Sequence, residues 1–175
     1  MGSRPRGSCE DRQAPRFLAD AMLGRLAKWL RILGYDAEYF RGEDDELLRL
    51  ARRGGRVLLT RDTQLHRRCA AGALLPPAGA EPLPAHLFIQ SDHVMEQLRQ
   101  VVTVLGLDPT APPARRCACC NAALEPRPKA EVFGSVPEFV WSQHETFWAC
   151  PDCRRIYWAG SHRQRMEEAI KALGR

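Results

Sequence analysis

The strongest constraint on this chain is a unit repeated within its first 75 residues: a short apolar run, a carboxylate, then apolar residues at helical spacing. "RFLAD" (16–20) and "RVLLTRD" (56–62) share this grammar, with a basic residue ahead of the run and an aspartate behind it. Runs such as Val57-Leu58-Leu59 read as strands buried on both faces. After the first comes "MLGRLAKWLRILG", with Leu23, Leu26, Leu30 and Leu33 on one helical stripe and Gly34 as its C-terminal cap. "YDAEYF" reads as a second strand. "DDELLRLARRGG" is a helix with a stripe of Leu47, Leu48 and Ala51 and a Gly-Gly stop. "RVLLT" is the third strand, and Asp62 opens another helix, "DTQLHRRCA". Alternating strands and helices of this kind predict an α/β fold, a parallel sheet flanked by helices on both faces.

Ligands of parallel α/β sheets bind at the carboxyl ends of the strands. Asp20 and Asp62 fall at two such ends, and Asp44, with Asp45 beside it, follows the third. Three acids on one rim repel each other unless a cation holds them, and an all-oxygen ligand set suits Mg²⁺ or Mn²⁺. A metal in such a site can activate water and stabilise phosphoryl charge, the chemistry of phosphodiester hydrolysis. The competing explanation is helix capping, since Asp is a favoured N-cap and both Asp44 and Asp62 precede helices. Arg25, Lys28 and Arg31 lie three apart on the first helix, either to contact phosphates or as a solvated face. Other α/β chemistries lack their signatures: there is no GxxxxGK[ST], no GxGxxG after the first strand and no GxSxG.

The composition then shifts. "LLPPAGAEPLP" is a loop, "HLFIQ" a further strand, and "SDHVMEQLRQVVTVLG" a helix introduced by Ser91 or Asp92. A second Pro-rich stretch, "LDPTAPPARR", is a linker. Beyond it stand Cys117-x₂-Cys120 and Cys150-x₂-Cys153, two knuckles whose four thiolates predict a structural Zn²⁺ site with room for a hairpin between them. Trp141, Phe147, Trp148, Tyr157 and Trp158 are expected to supply that module's core. Cys119 is a spectator, and Cys9 and Cys69 are incidental. A redox role for "CPDC" is the weaker alternative, because a second CxxC supplies a zinc partner. The expected boundaries are a disordered arm over 1–15, an α/β domain over 16–106, a linker over 107–114 and a zinc-ribbon module with a C-terminal helix over 115–175.

A formal net charge of +5, concentrated before residue 76 and after residue 112, favours a polyanionic partner such as RNA or DNA. The first fifteen residues have no apolar core of the kind a secretory signal needs, and Arg6 disfavours myristoylation. Seven cysteines without such a signal point to a reducing compartment, hence a cytoplasmic protein. No stretch approaches the ~20 apolar residues of a membrane helix, so no membrane is expected as a partner.

The segments "FLADAMLGRLAKWLRILGYDAEYF", "DDELLRLARRGGRVLLTRDTQL", "EQL", "RCACCNAAL" and "CPDCRRIYWAGSH" run in an order that resembles the Mut-seven C-terminal RNase domain family, over about residues 16 to 168. The resemblance implies a PIN-like nuclease domain followed by a zinc ribbon, with RNA as substrate. Its acids fall on Asp20, Asp44 (or its neighbour Asp45) and Asp62, and its zinc ligands on the four cysteines. The "YW-x-GSH" signature falls on Tyr157, Trp158, Gly160, Ser161 and His162, with no role derived for it.

Two positions depart from that pattern. PIN nucleases often carry a fourth acid just after the third, where this chain has Thr63 and Gln64; Asp92 could supply a late acid in its place. Zinc knuckles favour glycine after the second cysteine, and here Arg154 stands there. The expectation is a ribonuclease using Asp20, Asp44 and Asp62 with Mg²⁺ or Mn²⁺, and Arg25, Lys28 and Arg61 against the RNA backbone. The alternative is a non-catalytic RNA- or ribosome-binding protein on a degenerate nuclease fold.

Overall fold

The computed structural model describes residues 14–76, 83–108 and 114–158. Residues 1–13 of the expected N-terminal arm, the C-terminal helix, Cys9 and Gly160, Ser161 and His162 lie outside the described residues, as do parts of both Pro-rich stretches.

Strands β1 (Arg16–Ala19), β2 (Asp36–Tyr39), β3 (Val57–Thr60) and β4 (His86–Phe88) form one parallel sheet in the order β2-β1-β3-β4. Register sets Phe17 beside Ala37 on one side and Val57 on the other. Alternation along each strand then divides the core. Phe17, Ala19, Val57 and Leu59 face Leu23, Leu26, Leu30, Leu98 and Val101, the stripes of α1 (Gly24–Ile32) and α4 (Val94–Val104). Leu18 and Leu58 point the other way, onto Leu47, Leu48, Ala51 and Leu65 of α2 (Asp44–Gly54) and α3 (Thr63–Arg68). Both faces of the sheet are therefore covered, as the apolar runs require.

Helix ends follow the sequence signals closely. α1 stops where Gly34 adopts φ 91, and Tyr35 N–H closes back on Leu30 O at 2.9 Å. α2 stops where Gly55 adopts φ 55, and Arg56 N–H bonds Ala51 O at 3.0 Å. A side chain other than glycine would be strained at either turn. Elsewhere the boundaries move. α3 ends at Arg68 and the chain continues in a wide turn over Cys69–Ala73 around left-handed Gly72, so the helix is shorter than "DTQLHRRCA" suggests. α4 begins after His93 and not at Ser91 or Asp92, because Ser91 Oγ accepts from His93 N–H at 3.0 Å and donates to Glu96 at 2.6 Å, closing a turn ahead of the helix.

A second, antiparallel sheet follows, built from β5 (Glu125–Arg127), β6 (Phe147–Ala149) and β7 (Ile156–Trp158) in that order. Between β5 and β6 run a 3₁₀ turn (Lys129–Val132) and α5 (Glu138–Gln143). Its core is Phe147, Val132 and Val140, with Trp141 and Ile156 partly buried against them. The expected aromatic core is thus only partly realised. Trp148 lies on the opposite side of β6 beneath the Arg115 guanidinium, 3.8 Å from the ring centre, and Trp158 is exposed.

Candidate metal centre and carboxylate rim

β1 hands the chain to Asp20, whose backbone N–H continues the ladder to Leu59 O at 3.1 Å. The side chain is buried, 5% exposed, at the carboxyl end of the sheet. Its oxygens are held by three donors: Met22 N–H on Oδ1 at 2.9 Å, and the Thr60 hydroxyl and Arg61 N–H on Oδ2 at 2.5 and 2.9 Å. These bonds fix the carboxylate in one orientation. Two of the donors belong to the end of β3, so the neighbouring strand positions the acid.

Thr60 also reaches the second acid. Its Oγ1 accepts from Asp62 N–H at 2.9 Å, so one buried hydroxyl joins the Asp20 carboxylate to the Asp62 backbone. Asp62 in turn caps α3: Oδ1 accepts from Gln64 N–H at 2.7 Å and Leu65 N–H at 2.9 Å. Its second oxygen takes no part in the cap, and the residue is exposed. Capping and ligand donation are compatible here, because each uses a different oxygen.

Asp44 behaves differently. Glu43 occupies the N-cap position of α2, and Asp44, as the first helical residue, makes no capping bond. It lies instead 3.4 Å from Arg68 of α3, which also pairs with Asp45. Capping therefore does not account for Asp44, but an arginine engages it. The rim brings Asp20 and Asp62 into one hydrogen-bonded unit and holds Asp44 toward α3. Among the described residues the three aspartates do not form a converging group of ligand atoms; the group that does is the four cysteines.

Arg25 and Lys28 are exposed on the first two turns of α1, the end nearest the rim, and Arg61 is half-buried directly after β3. Arg31 has neither of its expected roles. It is buried, and its guanidinium bonds Ala37 O at 2.7 Å and Cys119 O at 2.7 Å. Asp92 is exposed beside His93. Sequence reasoning missed Thr60, whose one signal is a hydroxyl ending an otherwise apolar strand two residues before an aspartate.

The Cys117, Cys120, Cys150 and Cys153 sulfurs all lie within 4.8 Å of one another, with Cys117–Cys153 at 3.5 Å and Cys120–Cys150 at 3.3 Å. Tetrahedral Zn²⁺ with bonds of about 2.3 Å puts its sulfurs about 3.8 Å apart, so this donor set fits that ion. Each knuckle turns on a residue with positive φ just after its second cysteine, Asn121 (φ 73) and Arg154 (φ 60), whose N–H groups return to Cys117 O and Cys150 O at 3.0 Å. Cys119 stays outside the cluster, exposed, and Cys69 is buried in the core.

The thiols differ in how readily they ionise. Burial opposes ionisation of Cys117, but hydrogen bonds from the Tyr157 hydroxyl and from the Cys120 and Cys119 N–H groups overcome it and bring the thiol down to about 6. At Cys120 the Ala122 N–H favours the thiolate, yet Cys150, burial and Cys117 outweigh it and push the thiol up to about 12. Full ionisation of such a cluster requires a cation.

The family model of the Mut7-C RNAse domain matches residues 15–170. The match spans most of the chain, which therefore belongs to this family. No curated protein and no solved structure matches it significantly. Among the described residues, no helix is long and apolar enough to cross a membrane.

Proposed function

We propose that this member of the Mut7-C RNAse domain family is a divalent-metal-dependent ribonuclease with a PIN-like catalytic domain and a structural zinc ribbon. The single observation carrying the reading is the Asp20–Thr60–Asp62 unit: one buried hydroxyl orients the Asp20 carboxylate and accepts the Asp62 backbone N–H, tying two acids at adjacent strand ends together. Capping alone explains Asp62 Oδ1, but helix capping gives no reason to bury Asp20 and aim three donors at it.

Asp20 and Asp62 offer the hard oxygen donors that suit Mg²⁺ or Mn²⁺, ions that commonly use only one or two carboxylates and complete their shells with water and substrate phosphate. Bound there, such an ion supplies Lewis-acid stabilisation of phosphoryl charge and makes water more acidic. The remaining work belongs to the chain. Thr60 and the Arg61 N–H keep Asp20 in register. Arg25 and Lys28 draw the RNA backbone across the open end of α1, and Arg61 meets the phosphate next to the acids, so binding falls steeply with salt. Asp44 would join as a third ligand only on exchanging its Arg68 pair for the ion.

That last exchange supports a second reading. The pairing of Asp44 with Arg68 is also what a non-catalytic RNA-binding descendant of the fold would show. Incubating the zinc-loaded protein with end-labelled single-stranded RNA and Mn²⁺ separates the two. Cleavage abolished by EDTA and restored by Mn²⁺ supports the nuclease; retention of intact RNA, indifferent to EDTA, supports the binding protein.

A further inference from the structure

The parallel sheet has an outer strand, β2, whose free edge is a hazard, because unpaired N–H and C=O groups invite pairing with another chain. Here that edge is met at Ala37 by Asn121 of the first cysteine knuckle and by Arg31 of α1. Ala37 N–H donates to Asn121 Oδ1 at 3.1 Å, and Ala37 O accepts from Arg31 Nε at 2.7 Å. The other end of the Asn121 amide, Nδ2, donates to Asp36 Oδ1 at 2.7 Å. Arg31 meanwhile grips the knuckle itself through Cys119 O at 2.7 Å and Ala118 O at 3.4 Å. Asp36 is further held by Arg56, 2.6 Å away and 5% exposed, with Arg116 and Arg16 at 3.6 and 3.4 Å.

Each contact from the knuckle comes from residues between, or next to, the ligand cysteines. Asn121 reaches β2 from a left-handed conformation, which Asn adopts more readily than most residues with a Cβ, at the position directly after Cys120. We propose that the Cys117–Cys120 knuckle is a zinc-set brace: metal at the four cysteines holds Asn121 where it pairs β2, and the Ala118 and Cys119 carbonyls where they hold Arg31 against Ala37 O, and its loss opens the outer edge of the catalytic sheet. The brace couples the metal state of the small module to the larger one, and it rests on the zinc assignment of the four cysteines. Loss of zinc would expose the β2 edge to self-association without altering the carboxylate rim directly.

Hydrogen exchange at the Ala37 amide, with zinc content measured on the same samples of the full chain, tests this. Zinc removal by a chelator, and Cys153→Ser, which strips a ligand from the second knuckle, are each expected to speed Ala37 exchange by roughly tenfold or more while β3 amides keep their protection. Asn121→Gly permits the positive φ but removes the carboxamide, so it should keep its zinc and still lose Ala37 protection. Unchanged Ala37 exchange in the zinc-free protein overturns the brace. Equal protection in zinc-loaded Asn121→Gly removes Asn121 from it. A wild-type chain that binds no zinc yet protects Ala37 overturns the zinc assignment itself, which the metal measurement reads separately.

Discussion

Thr60, the last residue of β3, donates its hydroxyl to Asp20, the residue that follows β1, and the same oxygen accepts the Asp62 N–H. The side chain is fully buried, so Thr60→Val preserves shape while removing both bonds. A buried group left unpaired costs roughly 1–3 kcal/mol. Because the loss falls on the orientation of the Asp20 carboxylate and on the backbone that carries Asp62, kcat should drop by about tenfold or more, since misplaced catalytic groups lose proximity effects quickly. Thr60→Ser, which restores the hydroxyl, should recover most of it; steady-state kinetics on a single-stranded RNA reads both.

Asp62 caps α3 and is proposed as a metal ligand, two duties that substitution separates. Asn caps helices about as well as Asp, whereas Ala removes a cap worth about 1 kcal/mol. Asp62→Asn should therefore keep its unfolding midpoint and lose RNA cleavage, and Asp62→Ala should lose both. Thermal unfolding beside an activity assay distinguishes charge from capping.

These two residues also mark how far the sequence could be read. The strand–aspartate grammar put Asp20 and Asp62 at the carboxyl end of a parallel sheet, where they lie, since apolar runs buried on both faces favour such a sheet; it did not show that Asp44 stands apart, paired with Arg68. It could not show that Asp20 is oriented through Thr60, because a hydroxyl's partner depends on which strand becomes its neighbour. Arg31 failed for the same reason. Its spacing from Arg25 and Lys28 suggested a common face, but the residue lies where the cysteine module docks, a contact between segments some 90 residues apart. The four cysteines were legible because ligand spacing within a knuckle is local.

Arg68 holds Asp44 and Asp45 at the protein surface. Exposed ion pairs contribute about 0–1 kcal/mol, so Arg68→Gln should change stability little. Freed of its arginine, Asp44 should bind Mn²⁺ more readily, lowering the Mn²⁺ concentration needed for half-maximal cleavage. Asp44→Asn should cost more activity than Asp45→Asn, whose side chain is the more exposed of the two.

In the second knuckle, Arg154 sits at φ 60, a conformation costing an L-residue roughly 1–2 kcal/mol. Glycine there gives back part of that as unfolded-chain entropy, so Arg154→Gly should stabilise the zinc-loaded protein by roughly 0.5–1 kcal/mol. Chemical denaturation at saturating zinc measures it.

Acid should release the junction between the two modules. Burial disfavours the Asp36 carboxylate, but Arg56 and Asn121 hydrogen bonds, with the charges of Arg56 and Arg116, outweigh it and hold its pKa below the ordinary 3.8. A carboxylate with a depressed folded pKa contributes stability that is fully present above its unfolded value and is lost as pH falls from there through the folded value. Unfolding monitored between pH 5 and lower values should show this loss beginning near 3.8, and Asp36→Asn should lack that component.

The central claim is that Asp20 is a catalytic carboxylate and not merely a turn residue. Single-turnover cleavage of end-labelled single-stranded RNA in Mn²⁺, comparing wild type with Asp20→Asn at equal zinc content and equal RNA affinity, tests it most directly. The account predicts a rate lower by roughly 10²-fold or more in the variant, the scale of losing a group that stabilises transition-state charge. Cleavage at the wild-type rate by Asp20→Asn, or none by either protein, would contradict it.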